Sequence, residues 1–211
     1  PADLVKFACE RDEVGRHLAR YDKGVMPWDA GTVPADLVAF ARELAPGCRV
    51  LVPGCGSGHD VVFLADAGFD VLAIDFSPPA IELAHRNAAR FTDRIVLADF
   101  FEFDAGPGFD VIYERAFLCA LPRSLWTRYG ERMAQIVRPG GCLAGFWFMD
   151  DNERGPPFGT NPAQLESLLA PAFALERDVP ASDSLPVFAG RERWQTWRRN
   201  GRTIPSTPQG R

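Results

Sequence analysis

Apolar positions along this chain fall into two alternating rhythms. Short aliphatic and β-branched runs, read as buried strands, are separated by stretches whose apolar residues recur at helical spacing. That is the pattern of an α/β protein built on a mostly parallel sheet. The stretch Pro34 to Leu44 places Leu37, Phe40, Ala41 and Leu44 on one helical face, with proline admissible in the first turn. Arg49 to Pro53 reads as a buried strand, Gly54 to Gly58 as a glycine loop, and Asp60 to Ala67 as a helix closed by Gly68. A second strand, Asp70 to Ile74, ends at Asp75, after which Ser77 caps a helix that has Pro78 at its first position and carries Ile81 to Ala89.

The alternation continues with strands at Arg94 to Ala98 and Phe109 to Tyr113, a helix from Ser124 to Val137, and a strand from Cys142 to Phe148. Pro139-Gly140-Gly141 punctuates the last of these joins. Asn161-Pro162-Ala163-Gln164 forms a capping box that opens a short helix through Leu168 and Leu169. Two further strands, Phe173 to Val179 and Arg191 to Arg198, are expected as an antiparallel pair at the sheet edge, with Trp194 and Trp197 on opposite faces. Residues 1–200 are read as one domain and residues 201–211, rich in proline and basic residues, as a flexible tail.

Composition narrows the function classes. With 46% of its 211 residues hydrophobic, the chain can bury a full core, which excludes bulk disorder. A formal charge of −5 supplies no global field for nucleic acid, so a nucleic-acid partner is not expected. The longest nearly apolar run, Gly140 to Met149, is well short of the roughly 20 residues a membrane span needs. No secretory signal is read, and Pro1 suggests a trimmed start. Five dispersed cysteines (Cys9, Cys48, Cys55, Cys119, Cys142) form no CxxC pair, which argues against a disulfide framework or a metal site and for a reducing cytoplasm.

The candidate chemistry lies at strand ends. Gly54-x-Gly56-x-Gly58 stands between a strand and a helix, where glycines let backbone amides approach a ligand at the helix N-terminus. In dinucleotide-binding folds the third glycine falls five positions after the first, and here that place is His59, so the spacing disfavours NAD. Asp75 closes the second strand, where a carboxylate can accept from both ribose hydroxyls of a nucleoside. Ala98-Asp99-Phe100-Phe101 closes the third, with a carboxylate for an exocyclic amine and a ring for a base; the alternative for Phe100 is a place in the core. Cys119 is read as a small buried filler, because the three histidines (His17, His59, His85) are scattered and offer it no base.

Together with Gly24-Val25-Met26-Pro27-Trp28-Asp29, Glu114-Arg115-Ala116-Phe117-Leu118-Cys119-Ala120-Leu121 and Gly155-Pro156-Pro157-Phe158, the loop Leu51 to Gly58 resembles the thiopurine S-methyltransferase superfamily. It is most similar to the thiol and halide methyltransferase branch, although Glu-Arg-Ala leans toward the thiopurine branch. The resemblance implies a Rossmann-like class I methyltransferase, α/β, with a central, mostly parallel seven-stranded sheet, one antiparallel edge strand and helices on both faces. It implies S-adenosylmethionine as cofactor and S-adenosylhomocysteine as product. Carried over by position, Tyr21, Trp28, Gly54, Cys55, Gly56, Asp75, Phe76, Asp99, Phe100 and Glu114 would contact the cofactor. Arg115 would lie between cofactor and acceptor as the catalytic residue, its alternative use being an ion pair with Glu114 or Asp110.

Two departures fall on the acceptor side. The family's paired tryptophans are replaced by His17 and Tyr21, and its GGPPY becomes Arg154-Gly155-Pro156-Pro157-Phe158. Loss of the tyrosine hydroxyl removes a donor for a small anion and favours a bulkier, more apolar thiol. The expected reaction is methyl transfer to the sulfur of a small thiol by a monomer, with residues 1–33 as a lid. N- or O-methylation of a small aromatic metabolite, halide or thiocyanate methylation, and a non-catalytic cofactor-binding module are the alternatives.

Overall fold

A computed structural model describes residues 29, 31–151 and 154–201. Of the residues 1–33 read as a lid, 1–28 and 30, including His17, Tyr21 and Trp28, lie outside the described residues, as do residues 202–211 of the tail. Among the described residues five α-helices and seven strands are formed: α1 (Ala35–Ala41), β1 (Arg49–Pro53), α2 (His59–Asp66), β2 (Asp70–Asp75), α3 (Pro78–Asn87), β3 (Ile95–Leu97), β4 (Phe109–Arg115), α4 (Trp126–Ile136), β5 (Val137–Phe148), α5 (Pro162–Leu169), β6 (Phe173–Pro180) and β7 (Glu192–Arg199).

The strands form one sheet in the order β3-β2-β1-β4-β5-β7-β6. The first five in that order run parallel; β7 runs against both β5 and β6. The antiparallel element expected at the edge is therefore present, with β7 inserted one place in and β6 outermost. β6 is exposed along almost its whole length, and ion pairs Arg177–Glu43, Arg193–Asp178 and Arg198–Glu176 line it, which blunts edge-to-edge association.

Strand alternation splits the core into two layers. One face buries Val50, Val111, Tyr113, Phe146 and Trp194 against Leu37 and Phe40 of α1, Val61 and Leu64 of α2, and Ile81 and Ala84 of α3. The other buries Leu51, Ile112, Leu143, Trp147 and Trp197 against Trp126, Tyr129 and Met133 of α4 and Leu165 and Leu169 of α5. Trp194 and Trp197 thus occupy opposite faces, as their spacing requires. The helix starts follow the capping chemistry: Ser77 Oγ accepts from Ala80 N, and Asn161 Oδ1 from Gln164 N at 3.0 Å, each ahead of a proline.

One boundary differs. Pro139-Gly140-Gly141 does not separate a helix from a strand but lies inside β5, which begins at Val137. The register passes from Phe109↔Val137 to Val111↔Cys142, so the proline and glycines form a bulge opposite Asp110, with Gly140 at φ 77°.

Candidate active site

All five parallel strands end at one edge of the sheet, where the order turns back on itself between β1 and β4, the position at which open α/β sheets bind ligands. The loop after β1 is stitched to the end of β2. Cys55 N donates to Ile74 O at 3.1 Å, and Gly56 N to Asp75 Oδ2 at 3.1 Å. Gly54, Gly56 and Gly58 all have positive φ (63°, 53° and 80°), which side chains other than glycine's rarely adopt. A Cβ on Gly54 would stand 2.7 Å from Phe117 Cδ2, so the loop needs glycine there for a close approach as well as for its turn. Gly58 caps α2 without a side-chain hydrogen bond, which leaves the amides of the first turn facing the loop.

Asp75 is 6% exposed, and its other oxygen accepts from Ser77 N at 2.9 Å. Burial pushes its carboxyl up to about 6, against the lowering effect of the amides of Ser77 and Gly56. Each carboxylate oxygen retains an acceptor position beyond the amide it already holds. Phe76, next in the chain, is exposed. Cys55 is half-buried, and burial, then the neighbouring Asp75 charge, raise its thiol well above the ordinary range. At the end of β3, Asp99 Oδ1 accepts from Phe101 N at 2.8 Å, which fixes the turn. Phe100 is 5% exposed and packs into the core, its ring centroid 5.0 Å from that of Phe117 and 5.2 Å from that of Phe101.

β4 ends in the second half of the site. Glu114 and Arg115 point to opposite faces of the sheet. Glu114, 1% exposed, accepts from Leu118 N at 2.9 Å, and desolvation pushes its carboxyl up to about 8. The buried Tyr129 hydroxyl lies between Glu114 and Trp147 and interacts with both. Arg115 stacks its guanidinium 5.0 Å from the ring centroid of Phe146, its register partner on β5. Neither carboxylate considered for an ion pair is spent on it: Asp110 binds Arg138 Nη1 at 2.6 Å and Arg49 N at 2.9 Å, and Glu114 turns away to Leu118. Ala116 follows at φ 57°, a left-handed turn that carries Phe117 back beneath the glycine loop.

Ala116, the residue after Arg115, packs against an apolar wall of Cys119, Phe148, Leu185 and Phe188, with the Phe148 and Phe188 rings 4.9 Å apart. Phe158 N donates to Cys119 O at 2.7 Å, which ties the Gly155-Pro156-Pro157-Phe158 segment to this wall. Burial raises the Cys119 thiol, consistent with a filler. The structure adds two residues that the motifs did not single out. Tyr113 Oη donates to Asp60 Oδ2 at 3.0 Å, which places a carboxylate on the Arg115 face of β4. A cavity of about 340 Å³ lined by Phe103, Arg132 and Arg138 lies elsewhere, at the amino ends of β4 and β5.

This fold, with its glycine loop after β1 and carboxylates at the ends of β2 and β3, defines a Rossmann-like class I methyltransferase. Residues 13–200 match the thiopurine S-methyltransferase family, and the chain belongs to it. It is 32% identical over 160 residues to probable thiol methyltransferase 2 of Arabidopsis thaliana, covering 72% of this chain and 70% of that one. It is 29% identical over 211 residues to thiocyanate methyltransferase 1 of Brassica oleracea, covering 94% and 91%. Among solved structures it is similar to the 1,6-didemethyltoxoflavin-N1-methyltransferase of Burkholderia thailandensis, with a TM-score of 0.70 at 20% identity over 88% of this chain and 86% of that chain, a likeness of fold. As a member of the family the protein is an S-adenosylmethionine-dependent methyltransferase.

Proposed function

We propose that this protein methylates the sulfur of a small apolar thiol. The observation that carries the reading is Arg115: a guanidinium laid on an aromatic ring, next in the chain to an apolar wall, with Glu114 and Asp110 engaged elsewhere. Such a site suits a soft nucleophile that is apolar in body and anionic at the reacting atom. Bound S-adenosylmethionine supplies an electrophilic methyl group. Loop amides of Gly54 to Gly56 are assigned to its amino-acid portion, Asp75 to its ribose, and Phe76 and Asp99 to its adenine, a donor and acceptor set that fits it. Cys55 fills the loop between the glycines, while Phe100 and Glu114 support the cofactor from beneath, through Phe117 and the 115–118 turn. Tyr21 and Trp28, outside the described residues, are assigned to the cofactor by the family resemblance, and residues 1–33 to a lid that excludes water.

A free thiol has a pKa near 8.5, so about a tenth or less is thiolate at neutral pH; Arg115 raises that fraction by stabilising the anion. We further assign the protein to a reducing cytoplasm as a monomer. The described cysteines Cys48, Cys55, Cys119 and Cys142 are free, and no described helix is long and apolar enough to cross a membrane. A methyl-transfer screen over sulfide, small and aromatic thiols, thiopurines, thiocyanate, iodide and phenols tests the reading. The expected result is highest kcat/KM on an apolar thiol. Activity on phenols alone would replace it with O-methylation, and activity on thiocyanate or iodide alone with small-anion methylation.

A further inference from the structure

Asp60 is the second residue of α2, one step beyond the helix start that rises from the glycine loop. The Tyr113 hydroxyl at 3.0 Å fixes one of its carboxylate oxygens. Tyr113 is itself locked, buried at 1% exposure and tilted against Trp194 with ring centroids 6.4 Å apart. Arg115 lies two residues further along β4 and therefore on the same face. Its charge acts on Asp60, yet among the described residues no ion pair joins them, and Arg115 Nε is buried without a hydrogen-bond partner. Asp60 is half-buried, and Tyr113 engages only one of its two carboxylate oxygens. A carboxylate and a guanidinium thus share one face of β4, close enough for the Arg115 charge to act on Asp60, with no ion pair between them among the described residues.

Resting on the thiol reading, we propose that Asp60 is the general base that takes the acceptor's proton while Arg115 holds the negative sulfur. The proton passes from sulfur to an Asp60 oxygen. The sulfur lone pair forms the new S–CH3 bond as the sulfonium–CH3 bond breaks, and that electron pair stays on the departing thioether. The proton then leaves Asp60 for water. The groups that face this carboxylate are His59 from the same helix start, Asp29 from the chain ahead of α1, and Tyr113 and Arg115 from β4; Glu192 of β7 acts on Tyr113. Burial outweighs the lowering effects of Arg115, Tyr113 and His59 and sets the carboxyl at about 6, poised to be ionised yet basic at neutral pH.

The test uses the intact protein and a cysteine-derived thiol probe, whose pKa is about 8.5. The pH dependence of methyl transfer is followed from pH 5 to pH 9 at saturating S-adenosylmethionine in the wild type and two variants. The wild-type rate should fall as pH drops through about 6, where Asp60 takes up a proton. Asp60→Asn should lose about ten- to a hundredfold in kcat/KM at pH 7, lose the acid limb that Asp60 sets, and recover toward pH 9, where the thiol ionises without a base. Tyr113→Phe keeps the carboxylate but removes a donor that lowers its pKa, so the acid limb of the rate profile should move upward. An undiminished kcat/KM at pH 7 in Asp60→Asn and an unchanged acid limb in both variants would overturn the assignment while leaving the thiol reading intact. A wild type that binds and methylates no thiol would overturn both.

Discussion

At the ends of β1 and β2 the chain presents backbone to the site, whereas at the ends of β4 and β5 it presents side chains. The first half is three left-handed glycines, two stitches between neighbouring strands and one carboxylate whose oxygens hold main-chain amides. The second is a guanidinium on a phenyl ring, a buried neutral glutamate, a tyrosine-held aspartate and an aromatic wall. The contrast follows from the tasks. A cofactor common to a family can be gripped by amides, which any sequence supplies once the turn is permitted. The acceptor and its proton need particular side chains, and those are free to vary with the substrate.

Breaking the backbone half should have the largest effect. Gly54→Ala forces a left-handed alanine, costing about 1–2 kcal/mol, and drives its Cβ against Phe117, so the loop must shift and lose amide contacts worth a similar amount. S-Adenosylhomocysteine affinity should fall about a hundredfold by calorimetry. A change within twofold would show that the loop does not grip the cofactor. Arg115→Ala attacks the other half: turnover should drop about ten- to a hundredfold at pH 7 and less at pH 9, where the thiol ionises unaided. Equal loss at both values would remove Arg115 from thiolate stabilisation.

Glu114→Gln sharpens the comparison through stability. The native carboxyl keeps its proton up to about 8, while the unfolded one gives it up near 4.5. Between those values the native state holds more protons, so stability falls as pH rises. The amide can still accept from Leu118 N and carries no charge, so the variant's Tm should gain on the wild type's from pH 5 to pH 9, by roughly 2–4 °C for each kcal/mol relieved. Parallel Tm curves would mean that Glu114 is charged throughout.

How much of this was legible follows the same division. The β1 loop and Asp75 could be read directly, because glycine spacing and an acidic strand end are local signals with one structural meaning. The elements on both sheet faces were legible from their periods. Asp60 and Tyr113 were not, since a helix-start aspartate reads as a favourable charge at the dipole and a strand tyrosine as core. Their contact depends on β4 lying beside β1, 53 residues apart in the chain. Ala116 at positive φ carries no sequence mark, and Pro139-Gly140-Gly141 read as a turn because a bulge uses the same residues. Phe100 was placed between base and core by its residue type alone, and only the packing of Phe117 and Tyr129 around it locates it in the core.

The most direct test of the account is calorimetry of S-adenosylhomocysteine across pH 5 to 8. Asp75 must be ionised to accept from the ribose hydroxyls, and its carboxyl sits at about 6, so binding should be micromolar or tighter at neutral pH and weaken as pH falls through that value. Absence of binding at neutral pH, or an affinity indifferent to pH in this window, would contradict it.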